Sequence, residues 1–71
     1  MSLEDDILKY MLKYGSITPA EALSEFGCMR LSARIWNLKH LYGINIDGKK
    51  EYSKRRNGRT TSWKRYWVVK E

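Results

Sequence analysis

Residues 54–59 read Lys54-Arg55-Arg56-Asn57-Gly58-Arg59. Four cations surround an Asn-Gly pair, the strongest short signal for a hairpin turn. Cations gathered on a turn suit the holding of a polyanion, not the making of bonds. The flanks extend the pattern: from Lys49 to Arg65 there are eight basic residues and one acid, Glu51. Charge is divided along the whole chain as well. Through Cys28, two basic residues face five acidic ones, a net of −3; from Met29 onward, twelve face three, a net of +9. The total is +6, with a pI near 9.7. Such a division builds a directed field that draws a polyanion to one side of the molecule.

The other chemistry-bearing residues point away from catalysis. Glu4, Asp5 and Asp6 are consecutive, and consecutive helix positions point in different directions. They sit where a helix dipole favours anions, so they cap a helix rather than form a metal or acid–base cluster. His40 is the single histidine and has no Cys or Ser at a recognisable spacing. No glycine-rich phosphate loop follows a strand. Cys28 is the single cysteine, which excludes an intramolecular disulfide and leaves a Cys-based zinc site without ligands. A reactive thiol lowered by a helix dipole is one reading of Cys28; a small buried apolar residue is the plainer one. No enzyme, metal, cofactor or small-molecule ligand is expected. No apolar run approaches the ~18 residues needed to span a bilayer, and the acids at 4–6 are unlike a signal peptide.

These residues must be positioned by a very small body. The chain has 71 residues, enough for one domain. Its composition, 42% hydrophobic and 31% charged, is that of a globular protein. Three Trp, five Tyr and one Phe supply large buried area per residue.

Periodicity gives the elements. Leu3, Ile7, Met11 and Tyr14, with Leu8 and Leu12 beside them, predict a helix over about 3–14, capped by Ser2 and stopped at Gly15. Ser16 and Ile17 form an extended link. Thr18-Pro19-Ala20-Glu21 is a capping box with proline at the first helical position, predicting a helix over about 19–26 that turns Ala22, Leu23 and Phe26 inward and ends at Gly27. Leu31, Ile35, Leu38 and Tyr42 predict a third helix over about 29–42, stopped at Gly43. Two short helices joined by a tight glycine turn make a helix-turn-helix unit. Thereafter the period changes to two, predicting strands near 44–53 and 60–69. Tyr66 and Val68 are expected to face inward. The expected fold is therefore α+β, three helices followed by a two-stranded hairpin.

That order is the order of a winged helix-turn-helix. The stretch from Gly15 to Gly43 resembles the compact winged helix-turn-helix domains common in bacteriophage and prophage proteins. The matching features are Ser16-Ile17-Thr18-Pro19 and Glu21-Ala22-Leu23 leading into the second helix, Gly27 after it, Arg30-Leu31-Ser32-Ala33-Arg34-Ile35 in the third, and the closing Gly43. With the hairpin, the resemblance covers nearly the whole chain. It implies a double-stranded DNA-binding module acting as a phage or prophage regulator or accessory DNA-binding protein. The implied setting is the cytoplasm of a bacterial or phage-infected cell, which agrees with a free cysteine.

The resemblance assigns roles by position. The third helix would enter the major groove, where base edges are distinguishable. Its N-terminal part usually makes the base contacts. Arg30 is placed to fork onto guanine, Asn37 to pair with adenine, and Ala33 to admit close approach or touch a thymine methyl, with Ser32 beside them. Arg34 is expected on a phosphate or folded back on Glu25, and His40 in solvent or on a phosphate. Lys54, Arg55, Arg56 and Arg59 would lie on the backbone or drop into a minor groove. Trp36 is expected on the exposed side, where it packs on the wing or a second protomer or meets sugar and phosphate; a homodimer through an exposed Trp is possible. Trp63 and Trp67 suit core or interface, with stacking on single strands as the alternative. A basic face on this scaffold also suits an acidic protein partner, or nucleic acid without sequence preference.

Overall fold

The computed structural model describes residues 3–70. Three helices, α1 (Leu3–Tyr14), α2 (Pro19–Phe26) and α3 (Leu31–His40), precede two antiparallel strands, β1 (Ile46–Lys54) and β2 (Thr60–Val68). This is the α+β order that the periodicity predicts. Ser2, the expected cap of α1, lies outside the described residues.

In α1 the acids Glu4, Asp5 and Asp6 occupy the first turn and Lys13 the last, each with the sign the helix dipole favours. Its buried stripe is narrower than expected. Ile7 and Met11, four residues apart, are buried, whereas Leu12 and Tyr14 are exposed. The capping box of α2 is complete: the Glu21 backbone N–H donates to Thr18 Oγ1 at 3.3 Å, and the Thr18 N–H donates to Glu21 Oε1 at 2.9 Å. Ala22 is buried, with Phe26 half-buried one turn later. Leu23, expected inward, is 52% exposed because it lies about 100° around the helix from Ala22.

The third helix is shorter at both ends than its apolar pattern predicts. Gly27, at φ 64°, closes α2 in a left-handed conformation, so Met29 and Arg30 are spent on reversing the chain. Arg30 is the non-helical cap at φ −126°, ψ 62°. At the other end the Ile44 N–H donates to the Leu38 carbonyl at 3.0 Å, and Gly43 takes φ 66°. Leu41 and Tyr42 therefore fall in the turn and are exposed. Tyr42 does not join Leu31, Ile35 and Leu38 on the buried face.

The strands pair from Ile46 opposite Val68 to Lys54 opposite Thr60. The Gly58 N–H donates to the Arg55 carbonyl at 3.0 Å, and Gly58 alone in this turn has positive φ, at 83°. Asn57 instead accepts from the Arg59 N–H at 3.0 Å. The turn is thus a four-residue β-turn ending in a left-handed glycine, a role that a side chain at 58 would strain. Tyr66 and Val68 pack on the core, as expected. Gly48 faces Tyr66 across the ladder; a Cβ there would come within 3.1 Å of the Tyr66 ring. Ile17 contributes what the extended link did not reveal. It forms a bridge with Tyr66 through two backbone hydrogen bonds of 2.8 and 2.9 Å, which tie the start of the helix-turn-helix to β2.

The core is one cluster: Ile7, Met11, Ile17, Ala22, Cys28, Leu31, Ile35, Leu38 and Ile46. Every helix and β1 contribute to it. Cys28 is a buried member of this cluster.

Candidate nucleic-acid interface

The three buried side chains of α3, Leu31, Ile35 and Leu38, fix which side of that helix is free. Ala33, Trp36 and His40, at steps of three and four, form the ridge opposite them. Trp36 is 56% exposed, and its ring stacks on His40 with centroids 4.5 Å apart and planes at 34°. The structure thus brings Trp36 to a ring on its own helix. Ser32 and Lys39 flank the ridge on one side and are exposed. Arg30 is exposed at the N-terminus of the helix, beside Met29, which is 86% exposed.

The other flank of α3 meets α1. Arg34 Nη1 donates to Glu4 Oε1 at 2.7 Å, and the Glu4 side chain is only 12% exposed. The expected fold-back of Arg34 onto Glu25 is therefore replaced by an ion pair with Glu4. The reason is that α1, not α2, lies along that side of α3. The Arg34 guanidinium holds the Glu4 carboxyl below the ordinary carboxylate range, with burial opposing it and an Asn37 hydrogen bond adding to it. Asn37 and Arg34 are both half-buried. The flank proposed from sequence to read adenine is thus turned in part toward an acid thirty residues away.

The hairpin has two unlike faces. One carries Trp63, Arg65 and Trp67 from β2, with Asp47, Lys49 and Glu51 opposite them. Here Glu51 and Arg65 are paired. Glu51 Oε1 accepts from Trp63 Nε1 at 2.8 Å and from Arg65 Nε at 3.0 Å. The Trp63 indole, then Arg65, hold the Glu51 carboxyl below its usual range, against some desolvation. Arg65 Nη1 donates to Ser16 Oγ at 2.9 Å and lies 3.8 Å from Glu21 Oε1. Glu21 also accepts from the Tyr10 hydroxyl at 3.1 Å. The acid of the α2 cap therefore links α1, α2 and the hairpin. Trp63 is half-buried, with its indole N–H held in this network.

The other face is continuous with the core. It begins with Ile46, Gly48, Tyr66 and Val68 against the helices, and α3 lies against β1. Farther from the core it presents Lys50, Tyr52 and Lys54 from β1 and Ser62 and Lys64 from β2, all exposed. Lys50 sits directly opposite Lys64. Their ammonium groups lie over the Tyr52 and Tyr66 rings, 5.6 and 5.7 Å from the centroids. No acid shares this face. At the tip, Arg55, Arg56 and Arg59 are exposed; Arg55 Nε donates to Thr61 Oγ1 at 3.4 Å. Among the described residues no carboxylate pairs with Arg30, Lys50, Lys54, Arg55, Arg56, Arg59 or Lys64.

The sequence marks Lys50 and Lys64 as basic without assigning them a role, because the Asn-Gly tip is the louder signal. Their alternation with Tyr52 and Tyr66 is what marks them as sharing one face.

A model of the winged helix-turn-helix domain family matches residues 2–71. The chain belongs to that family. Searches of curated proteins and of solved structures return no match. Winged helix-turn-helix domains are generally DNA-binding modules and typically not enzymes. In this winged helix-turn-helix, α2 and α3 are the two helices of the motif, and the β1–β2 hairpin is the wing. An open groove of about 420 Å³ lies between the start of α1 and the end of α3, lined by Glu4, Asp5, Leu8, Leu38, Tyr42 and Ile44. Glu4 and Asp5 give the groove an acidic rim. Among the described residues, no three His, Cys, Asp or Glu side chains gather where they could hold a metal ion. No described helix is long and apolar enough to cross a membrane.

Proposed function

We propose that the domain binds double-stranded DNA, with α3 in the major groove and the wing on the phosphate backbone or in a minor groove. The observation that carries this reading is Lys50 opposite Lys64 on a wing face without an acid. Like charges directly opposite one another destabilise a hairpin. A face that keeps them, next to three unpaired arginines at the tip, gains when phosphates neutralise it. Arg30, Ser32 and Ala33, at the N-terminal part of α3, are the base contacts in this reading. Asn37, half-buried on the α1 flank, joins them, and Arg34 reaches a phosphate only from its ion pair with Glu4. Lys54, Arg55, Arg56 and Arg59 contact phosphates, joined by Lys50 and Lys64. The likeness of residues 15–43 to phage and prophage domains supports work as a regulator or accessory DNA-binding protein in that setting. A second copy on an adjacent half-site is the natural way to lengthen the sequence recognised.

The test is binding to random duplex at two salt concentrations, followed by selection of preferred sequences from a random pool. With about six phosphates neutralised, log K should fall against log salt with a slope of roughly −5. Absence of duplex binding at low salt overturns the reading. Salt-sensitive binding with no enriched sequence removes the base-reading role of α3 and leaves only backbone binding.

A further inference from the structure

The ridge of α3 that faces away from the core is apolar at its centre. Ala33 presents only a methyl group, and one turn later Trp36 exposes more than half of its surface. Stacking on His40 at 4.5 Å holds the indole along the helix rather than letting it swing freely. On the α1 flank of the ridge Arg34 is drawn away to Glu4; on the other flank Ser32 and Lys39 are exposed beside it. The Trp36 indole N–H has no protein partner among the described residues. A large ring held in water in this way is costly to leave uncovered.

We infer that Trp36 is a specificity-determining residue that packs on the C5-methyl groups of thymine in the major groove. The inference rests on the DNA-binding reading above. The chemistry is specific because, among the base-pair edges in that groove, only thymine offers a methyl group. The cations lie at either end of the ridge and on the wing, where they suit phosphates; its apolar centre suits a methyl group. Ala33 beside Trp36 leaves the floor that the groove edge needs. The pre-set indole loses little freedom on binding.

The experiment uses the full 71-residue chain. Preferred duplexes are selected from a random pool with the unsubstituted domain, with Trp36→Ala and with Trp36→Phe. Each thymine in the preferred site is then replaced in turn by deoxyuridine, which removes the methyl group and nothing else. The unsubstituted domain should lose about fourfold in affinity at one or two positions, the equivalent of uncovering one methyl group. Trp36→Ala should bind thymine and deoxyuridine duplexes equally and should no longer enrich thymine there. Trp36→Phe should keep part of the discrimination, and it carries the test should Trp36→Ala melt much lower than the parent. Equal binding of thymine and deoxyuridine duplexes by the unsubstituted domain overturns the inference while salt-dependent duplex binding leaves the wider reading standing. A dimer in sedimentation that Trp36→Ala converts to monomer, with unchanged sensitivity to deoxyuridine, also overturns it. Failure to bind any duplex at low salt ends both.

Discussion

Two groups of arginines in this domain have opposite circumstances. Arg34 and Arg65 each meet a carboxylate, Glu4 at 2.7 Å and Glu51 at 3.0 Å, and each joins segments far apart in sequence. Arg55, Arg56 and Arg59 project from the wing tip with no carboxylate partner among the described residues. The same residue type thus serves as a clamp in one region and as an open charge in the other. What separates them is the supply of acids. Five of the eight acids lie before Met29, and the helical body brings Glu4 and Glu21 to the junctions. Among the described residues none pairs with the arginines of the tip. A domain that neutralises its junctions and leaves its wing charged concentrates its field where a polyanion would lie.

The largest effect should come from breaking the body on which both groups depend. Leu38→Ala or Ile35→Ala opens a cavity in the single core cluster and should destabilise the fold by about 2–5 kcal/mol in urea unfolding. An unchanged transition would mean that the buried face of α3 lies elsewhere. Next comes the open group. Replacing Arg55, Arg56 and Arg59 together by Ala should weaken binding to every duplex alike and make the salt dependence shallower by about one for each phosphate no longer neutralised. The thermal transition should hardly move, because none of the three pairs with a carboxylate. Arg30→Ala should cost about 1–3 kcal/mol on a preferred duplex and relax base preference, with little change on random DNA.

The clamps should behave in the opposite way. Arg65→Ala removes hydrogen bonds to Ser16 and Glu51 and should lower Tm by about 5 °C, with affinity unchanged once the folded fraction is accounted for. A large loss of affinity at full folding would place Arg65 among the open charges and dissolve the contrast. The smallest effect is on pH dependence. Glu4 and Glu51 are both held below the ordinary carboxylate range in the folded state. Their contribution is therefore full above the unfolded carboxylate pKa and is lost as pH falls through the lower folded values. Glu4→Gln should flatten the acid limb of the stability curve, read as urea unfolding at a series of acidic pH values.

Much of the fold was legible because local chemistry specified it. Thr18, Pro19 and Glu21 mark the start of α2 by hydrogen-bonding capacity alone, and Gly27, Gly43 and Gly58 mark places where the chain turns with positive φ. The ends of α3 were less legible. An apolar pattern through Tyr42 says nothing about the two residues that the turn after Gly27 consumes, nor about the hydrogen bond from Ile44 that closes the helix early. The candidate site divides in the same way. The exposed wing arginines follow from composition and the Asn-Gly turn. The diversion of Arg34 to Glu4 does not, because it depends on how α1 lies against α3.

By itself, then, the order of residues settled the three helices, the hairpin, the cap of α2 and the uneven distribution of charge. Each of these depends on neighbours within a few positions or on simple counting. Packing alone decided which cations remain open and which face of the wing is free of acid. Those outcomes require contacts between residues ten to fifty positions apart or the exact rotation of a helix about its axis, and a side chain's charge is spent or kept according to what the fold brings beside it.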